Sequence, residues 1–125
     1  MFIQYSNYNH PILSIEMNEN ENILILKTSL YSYKYEAVGD CCSASAFKKF
    51  KNNDFTFLIG KIIKGIKEIN LDDTKYESET DDDRYVITPH LYQMTFKNSD
   101  EIFKFMMVNY SNGFYDGWIN SYIII

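Results

Sequence analysis

Apolar and polar positions alternate along much of this chain, and a period of two predicts strands. The longest run covers residues 23–38. Ile23, Ile25, Lys27, Ser29, Tyr31, Tyr33 and Tyr35 fall on one face, with Leu24, Leu26, Thr28 and Leu30 on the other. Its first half reads as buried on both sides and its second half as an exposed tyrosine ladder, which either packs on a neighbouring element or offers rings for a base to stack on. A short strand at 12–17 precedes it, joined through the polar turn 18–22. Further on, 84–87 and 91–97 are strand segments interrupted by Pro89, which suggests an edge or a bend. A turn at 97–101 and strands at 102–110 and 118–125 complete an antiparallel meander. The apolar end Ile123-Ile124-Ile125 reads as the end of a buried strand.

Two stretches break the alternation. After Gly39, either Asp40 or Ser43 can accept the first N–H groups of a helix, and 43–51 is predicted as a short helix with Phe47 and Phe50 on one face. Residues 55–71 are ambiguous: Ile62, Ile63, Ile66 and Ile69 fit a helical stripe opposite Lys61, Lys64 and Lys67, while Gly60, Gly65 and the β-branched residues suit a strand with a bulge. The strongest local signal lies near the C-terminus. Asn112-Gly113 suits a two-residue turn, because both central positions of such a turn need positive φ. With that centre, Ser111 faces Phe114, Tyr110 faces Tyr115, Asn109 faces Asp116 and Met107 faces Trp118. One face near the tip then gathers Asn109, Asp116 and Trp118.

Composition narrows the function classes. The 125 residues suit one domain with a core of its own, and 46% hydrophobic residues mark a folded chain. Net charge is −5, and Arg84 is the single arginine among 12 basic residues, so duplex nucleic acid is disfavoured, while the acidity suits a basic protein partner or simply solubility. Neither a signal peptide nor an apolar run long enough to span a membrane is evident, and a reduced, cytoplasmic protein is expected. Cys41 and Cys42 are adjacent and cannot comfortably pair with each other. A thiol at a helix start could be a nucleophile, yet only His10 and His90 are available as bases and neither sits in a catalytic motif, so buried structural cysteine is the better reading. Zinc is disfavoured by the lack of C-x-x-C spacing, and calcium by the lack of a glycine within the acidic loop 71–83.

The block Gly39-Asp40-Cys41-Cys42-Ser43, then Leu58-Ile59-Gly60-Lys61 with Ile62 and Glu68, then Asn109-Tyr110-Ser111-Asn112-Gly113-Phe114-Tyr115, resembles a family of small phage and bacterial domains. Its members carry an acidic residue before a Cys-Cys pair, a Leu-Ile-Gly strand start and a Ser-Asn-Gly-Tyr-Tyr hairpin. The likeness covers residues 36–118 and implies a strand at 61–70. It brings no reaction or catalytic residues. Ser43 stands where an acidic residue is common, and Asp116-Gly117-Trp118 departs from the pattern after the hairpin.

The expected fold is α+β, a twisted antiparallel sheet of six to eight strands with the helix 43–51 packed on it. No paired carboxylates, phosphate loop or nucleophile elbow lies at a diagnostic spacing, so the protein is expected to bind without catalysis and without cofactor or metal. The first expectation is a phage-type counter-defence protein that sequesters a small nucleotide signal, such as a cyclic nucleotide or a cyclic ADP-ribose. Its candidate ligand residues are Arg84, His90, Asn109, Tyr115, Asp116 and Trp118. The alternative is an acidic inhibitor or immunity protein that blocks a basic partner, such as a toxin or a nucleic-acid enzyme. Neither duplex nucleic acid nor membrane is expected as a partner, and a homo-oligomer is compatible with both readings.

Overall fold

The computed structural model describes residues 9–40, 43–70, 86–111 and 116–124. Their regular structure is β1 (Ser14–Met17), β2 (Ile23–Lys27), β3 (Ser32–Gly39), β4 (Ala44–Lys49), a 3-10 turn (Phe55–Leu58), β5 (Ile63–Ile69), β6 (Val86–Phe96), β7 (Ile102–Ser111) and β8 (Gly117–Ile124). They form two four-stranded antiparallel sheets, ordered β1-β2-β3-β8 and β4-β7-β6-β5. Side chains from both sheets meet in one core, including Leu24, Tyr35 and Ile119 from the first and Phe47, Met94 and Phe105 from the second. The fold is therefore β on β, and the expected α+β arrangement is overturned.

The predicted helix 43–51 is instead strand β4. Ser43 N–H bonds the Asp40 carbonyl (2.9 Å), which closes a turn rather than starting a helix. The following residues then alternate, with Ser45 and Phe47 buried and Ala44 and Lys49 exposed. Small residues with weak preferences follow whichever partner satisfies their backbone, and β7 does so from Ala44↔Tyr110 to Lys49↔Phe105.

The tyrosine ladder is also corrected. The long run 23–38 folds back on itself at Thr28, whose Oγ1 accepts the Tyr31 N–H (3.1 Å) while its own N–H bonds the Tyr31 carbonyl (2.9 Å). Leu24 then lies opposite Tyr35 and Leu26 opposite Tyr33, all four on the core face. Tyr31, Tyr33 and Tyr35 are buried, so they are core side chains and not an exposed stacking platform.

Residues 63–69 form a strand whose register shifts between Ile63 and Gly65. The extra residue, Lys64, puts Ile63 and Ile66 on the same face three positions apart, where a regular strand would alternate. Glu68, opposite Tyr92, follows Ile66 onto the interior side. Pro89 sits in β6 beyond its last pairing with β5, Ile69↔Leu91, where its missing N–H costs no bond to that neighbour. No helix among the described residues is long and apolar enough to cross a membrane.

Candidate binding site at the polar end of the interior

Along the interior faces the side chains change character toward one end. On β6 and β7 the apolar layers of Phe96, Met94, Tyr92, Phe103, Phe105 and Met107 give way to His90, Asn109 and Ser111, and on β4 Phe47 gives way to Ser45. The end of β3 and the start of β8 lie side by side there. Gly39 pairs with Gly117 as β3 and β8 run antiparallel, and Asp40 N–H bonds the Asp116 carbonyl (3.0 Å). A side chain at Gly117 would collide with Ser45 Oγ and lie 2.7 Å from the Val38 carbonyl oxygen, so this close approach requires glycine.

His90 occupies the mouth of this region with its side chain 17% exposed. Its Nε2 lies 2.8 Å from Asp116 Oδ1 and its Nδ1 lies 3.4 Å from Glu68 Oε1. The Asp116 contact is a hydrogen bond, and Glu68 stands at ion-pair distance from the other ring nitrogen. Partial burial works against the charge on Asp116, but is outweighed by the His90 hydrogen bond, the Gly117 N–H and the His90 charge, which together hold its pKa below the ordinary carboxylate value. Beneath them Tyr92 is buried and hydrogen-bonds Glu68. Burial first, then the nearby Glu68 and Asp116 carboxylates, raise its pKa so that the phenol stays protonated.

Deeper in, Asn109 Nδ2 donates to Ser43 Oγ (3.1 Å) and Ser45 Oγ (3.0 Å). Both hydroxyls donate onward, to the Asp40 carbonyl (2.8 Å) and the Val38 carbonyl (3.0 Å), so they are acceptors toward Asn109 and set the orientation of its amide. Asn109 Oδ1 is buried and, among the described residues, has no hydrogen-bond partner. A buried acceptor left unmatched costs about 1–3 kcal/mol, so it marks this end as something other than ordinary core. Among the described residues no group of three or more His, Cys, Asp or Glu side chains could hold a metal ion. Glu68 and Asp116 take opposite nitrogens of His90 and do not converge on a common point.

Of the six residues expected to bind ligand, the structure brings three to this end: His90, Asp116 and Asn109. They meet by a route different from the expected hairpin. β7 pairs with β4 and β6, β8 pairs with β3, and so Asn109 faces Ser45 and Thr88 while Trp118 faces Val38. The predicted register of Asn109 on Asp116 and Met107 on Trp118 is thus overturned, because the two strands diverge into different sheets. Trp118 points away, 43% exposed on the outer face of the first sheet. Arg84, Tyr115, Asn112, Gly113, Cys41, Cys42 and the acidic loop 71–83 lie outside the described residues. Glu68, Tyr92, Ser43 and Ser45 belong to the site and were not anticipated; the bulge that aims Glu68 inward is their one sequence signal.

No protein-family model matches the chain, and no solved structure does. Among curated proteins the chain is similar to the uncharacterized protein L278 of Acanthamoeba polyphaga mimivirus, with 34% identity over 114 residues that cover 86% of this chain and 83% of the viral protein.

Proposed function

We propose that this protein, which belongs to the family of the mimivirus protein L278, is a non-enzymatic, cytoplasmic binding protein that receives a basic protein partner at the polar end of its interior. The observation that carries the reading is the pair of carboxylates on His90: Glu68 and Asp116 have side chains 54% and 62% exposed and a single imidazole between them. A lysine or arginine of a partner can take the place of that imidazole and gain charge-assisted hydrogen bonds to either oxygen pair. The same carboxylates repel a phosphate, so between the two expectations the geometry favours the basic partner over the small nucleotide. Binding without turnover is supported by the serines, whose hydroxyls donate to backbone carbonyls and not to His90.

Titration calorimetry with lysine- and arginine-rich peptides tests this, alongside a panel of cyclic nucleotides and cyclic ADP-ribose isomers. Peptide binding is expected, falling with added salt and weakened about tenfold or more by Glu68→Gln with Asp116→Asn, since rim charges act through steering and charge-assisted contacts. Tight binding of a nucleotide with none of the peptides would replace this reading with signal sequestration.

A further inference from the structure

An antiparallel sheet with one face on the core normally turns polar side chains outward. The outer face of the first sheet mixes apolar side chains in among the polar ones. Ile23 and Ile25 from β2, Val38 from β3, and Trp118, Tyr122 and Ile124 from β8 all lie on it, the last three 43%, 45% and 45% exposed. The charges on this face are balanced within an acidic chain: Lys27 is paired to Glu16 (2.7 Å), and Lys34 and Glu36 stand two residues apart on β3. A face of apolar side chains on either side of a Lys34–Glu36 pair, with no net charge of its own on a protein of net charge −5, is suited to a partner that is itself acidic.

The register shows which one. Across the three strands, Ile25, Lys34 and Tyr122 form one row and Ile23, Glu36 and Asn120 the next, flanked by Ser32 beside Ile124 and Val38 beside Trp118. A two-fold axis lying in the plane of contact, across the strands above Tyr35, exchanges these rows. It sets Lys34 on Glu36 of a second copy, Ile25 on Ile23, Tyr122 on Asn120 and Trp118 on Ile124, each contact occurring twice as two-fold symmetry requires. We propose that the outer face of the β1-β2-β3-β8 sheet is the interface of a symmetric homodimer. Stacked sheets lie about 10 Å apart and within about 30° of parallel, which this pairing accommodates. The face is one sheet wide, on the order of 500 Å² in projection from strand spacing and rise, so the association is concentration-dependent and not obligate.

Sedimentation equilibrium of the full chain, followed together with tryptophan emission, tests the proposal. The mass should rise from 14.8 kDa toward twice that value with concentration, and the emission of Trp118, the single tryptophan, should shift to the blue along the same curve. Lys34→Glu and Glu36→Lys each place like charges together twice per dimer and should weaken association about tenfold or more. The double variant exchanges the two charges, retains the pairing and should recover the dimer. Far-UV circular dichroism establishes that each variant keeps its sheets. A monomer at every concentration overturns the proposal, as does a dimer indifferent to the single reversals, or a double variant as weak as the singles. Should a single variant fail to fold, the parent decides alone: association without a shift in Trp118 emission means that another surface is used.

Discussion

Asp116 is the side chain on which the proposed site turns, and its ionisation makes a testable link between charge and folding. Its pKa is held below the ordinary value in the folded protein, opposed by partial burial and lowered by His90 and Gly117. The unfolded chain therefore takes up this proton first as pH falls. The stabilisation is present above the ordinary carboxylate range and is lost as pH drops through the folded-state value. Because the side chain is 62% exposed, solvent screens the pair and Asp116→Asn should cost no more than about 1 kcal/mol at neutral pH. Urea midpoints of variant and parent should differ at neutral pH and converge well below pH of about 4, where the parent carboxyl is also neutral. A difference that persists in acid would mean that shape, not charge, holds Asp116. Only half of this arrangement was legible in the sequence. His90 could be named as a cation and Asp116 as a polar residue beside the predicted turn, whereas Glu68 lay in a run of lysines and isoleucines where only the bulge near Gly65 bore on which way it pointed.

Elements explain why. In β5 the extra residue at Lys64 sets Ile63 and Ile66 three apart on one face, which mimics the spacing of a helix and hides the strand from a period of two. In β4 the opposite happened: Ala, Ser and Lys carry little strand preference, and the pairing that decides their state runs from Ala44↔Tyr110 to Lys49↔Phe105, far apart in sequence. The extended character of β2, β3 and β7 was legible, but their ends and partners were not: 23–38 reads as one strand where β2 and β3 pair with each other, and the Asn112-Gly113 signal suggested a hairpin where β7 and β8 enter different sheets. The two sheets approach closely where Gly117, paired with Gly39, lies against Ser45 and Asn109. Gly117→Ala would press a methyl group into Ser45 Oγ, the Val38 carbonyl and Asn109 Nδ2. We expect a loss of about 1–3 kcal/mol, as for overpacking elsewhere, read as a lowered urea midpoint. Basic-peptide affinity should fall with it, because Asp116 immediately precedes the displaced strand. Unchanged stability would show that the two segments separate freely.

At the scale of the whole molecule, the larger of two buried clusters draws on both sheets, and that predicts that they unfold together. Phe105 of β7 lies at its centre, fully buried, with ring centroids 5.5 Å from Tyr92, 5.7 Å from Phe55, 6.1 Å from Phe47 and 6.2 Å from Phe103. Every one of those rings belongs to the second sheet or its connections. Trp118, in contrast, pairs with Val38 in the first sheet and reports on that sheet by its emission. Phe105→Ala removes a large buried ring and should cost about 3–5 kcal/mol, a large share of the roughly 5–15 kcal/mol that holds a typical domain folded. If the shared core couples the sheets, the urea midpoint seen by Trp118 must fall by the same amount as that seen by far-UV circular dichroism, although no atom beside Trp118 has changed. The two probes should be compared at one fixed chain concentration, because association through the outer face would itself stabilise the folded state. A variant whose dichroism shifts while its Trp118 transition stays in place would mean that the β1-β2-β3-β8 sheet stands without the other, and that the polar end between them opens before the protein unfolds.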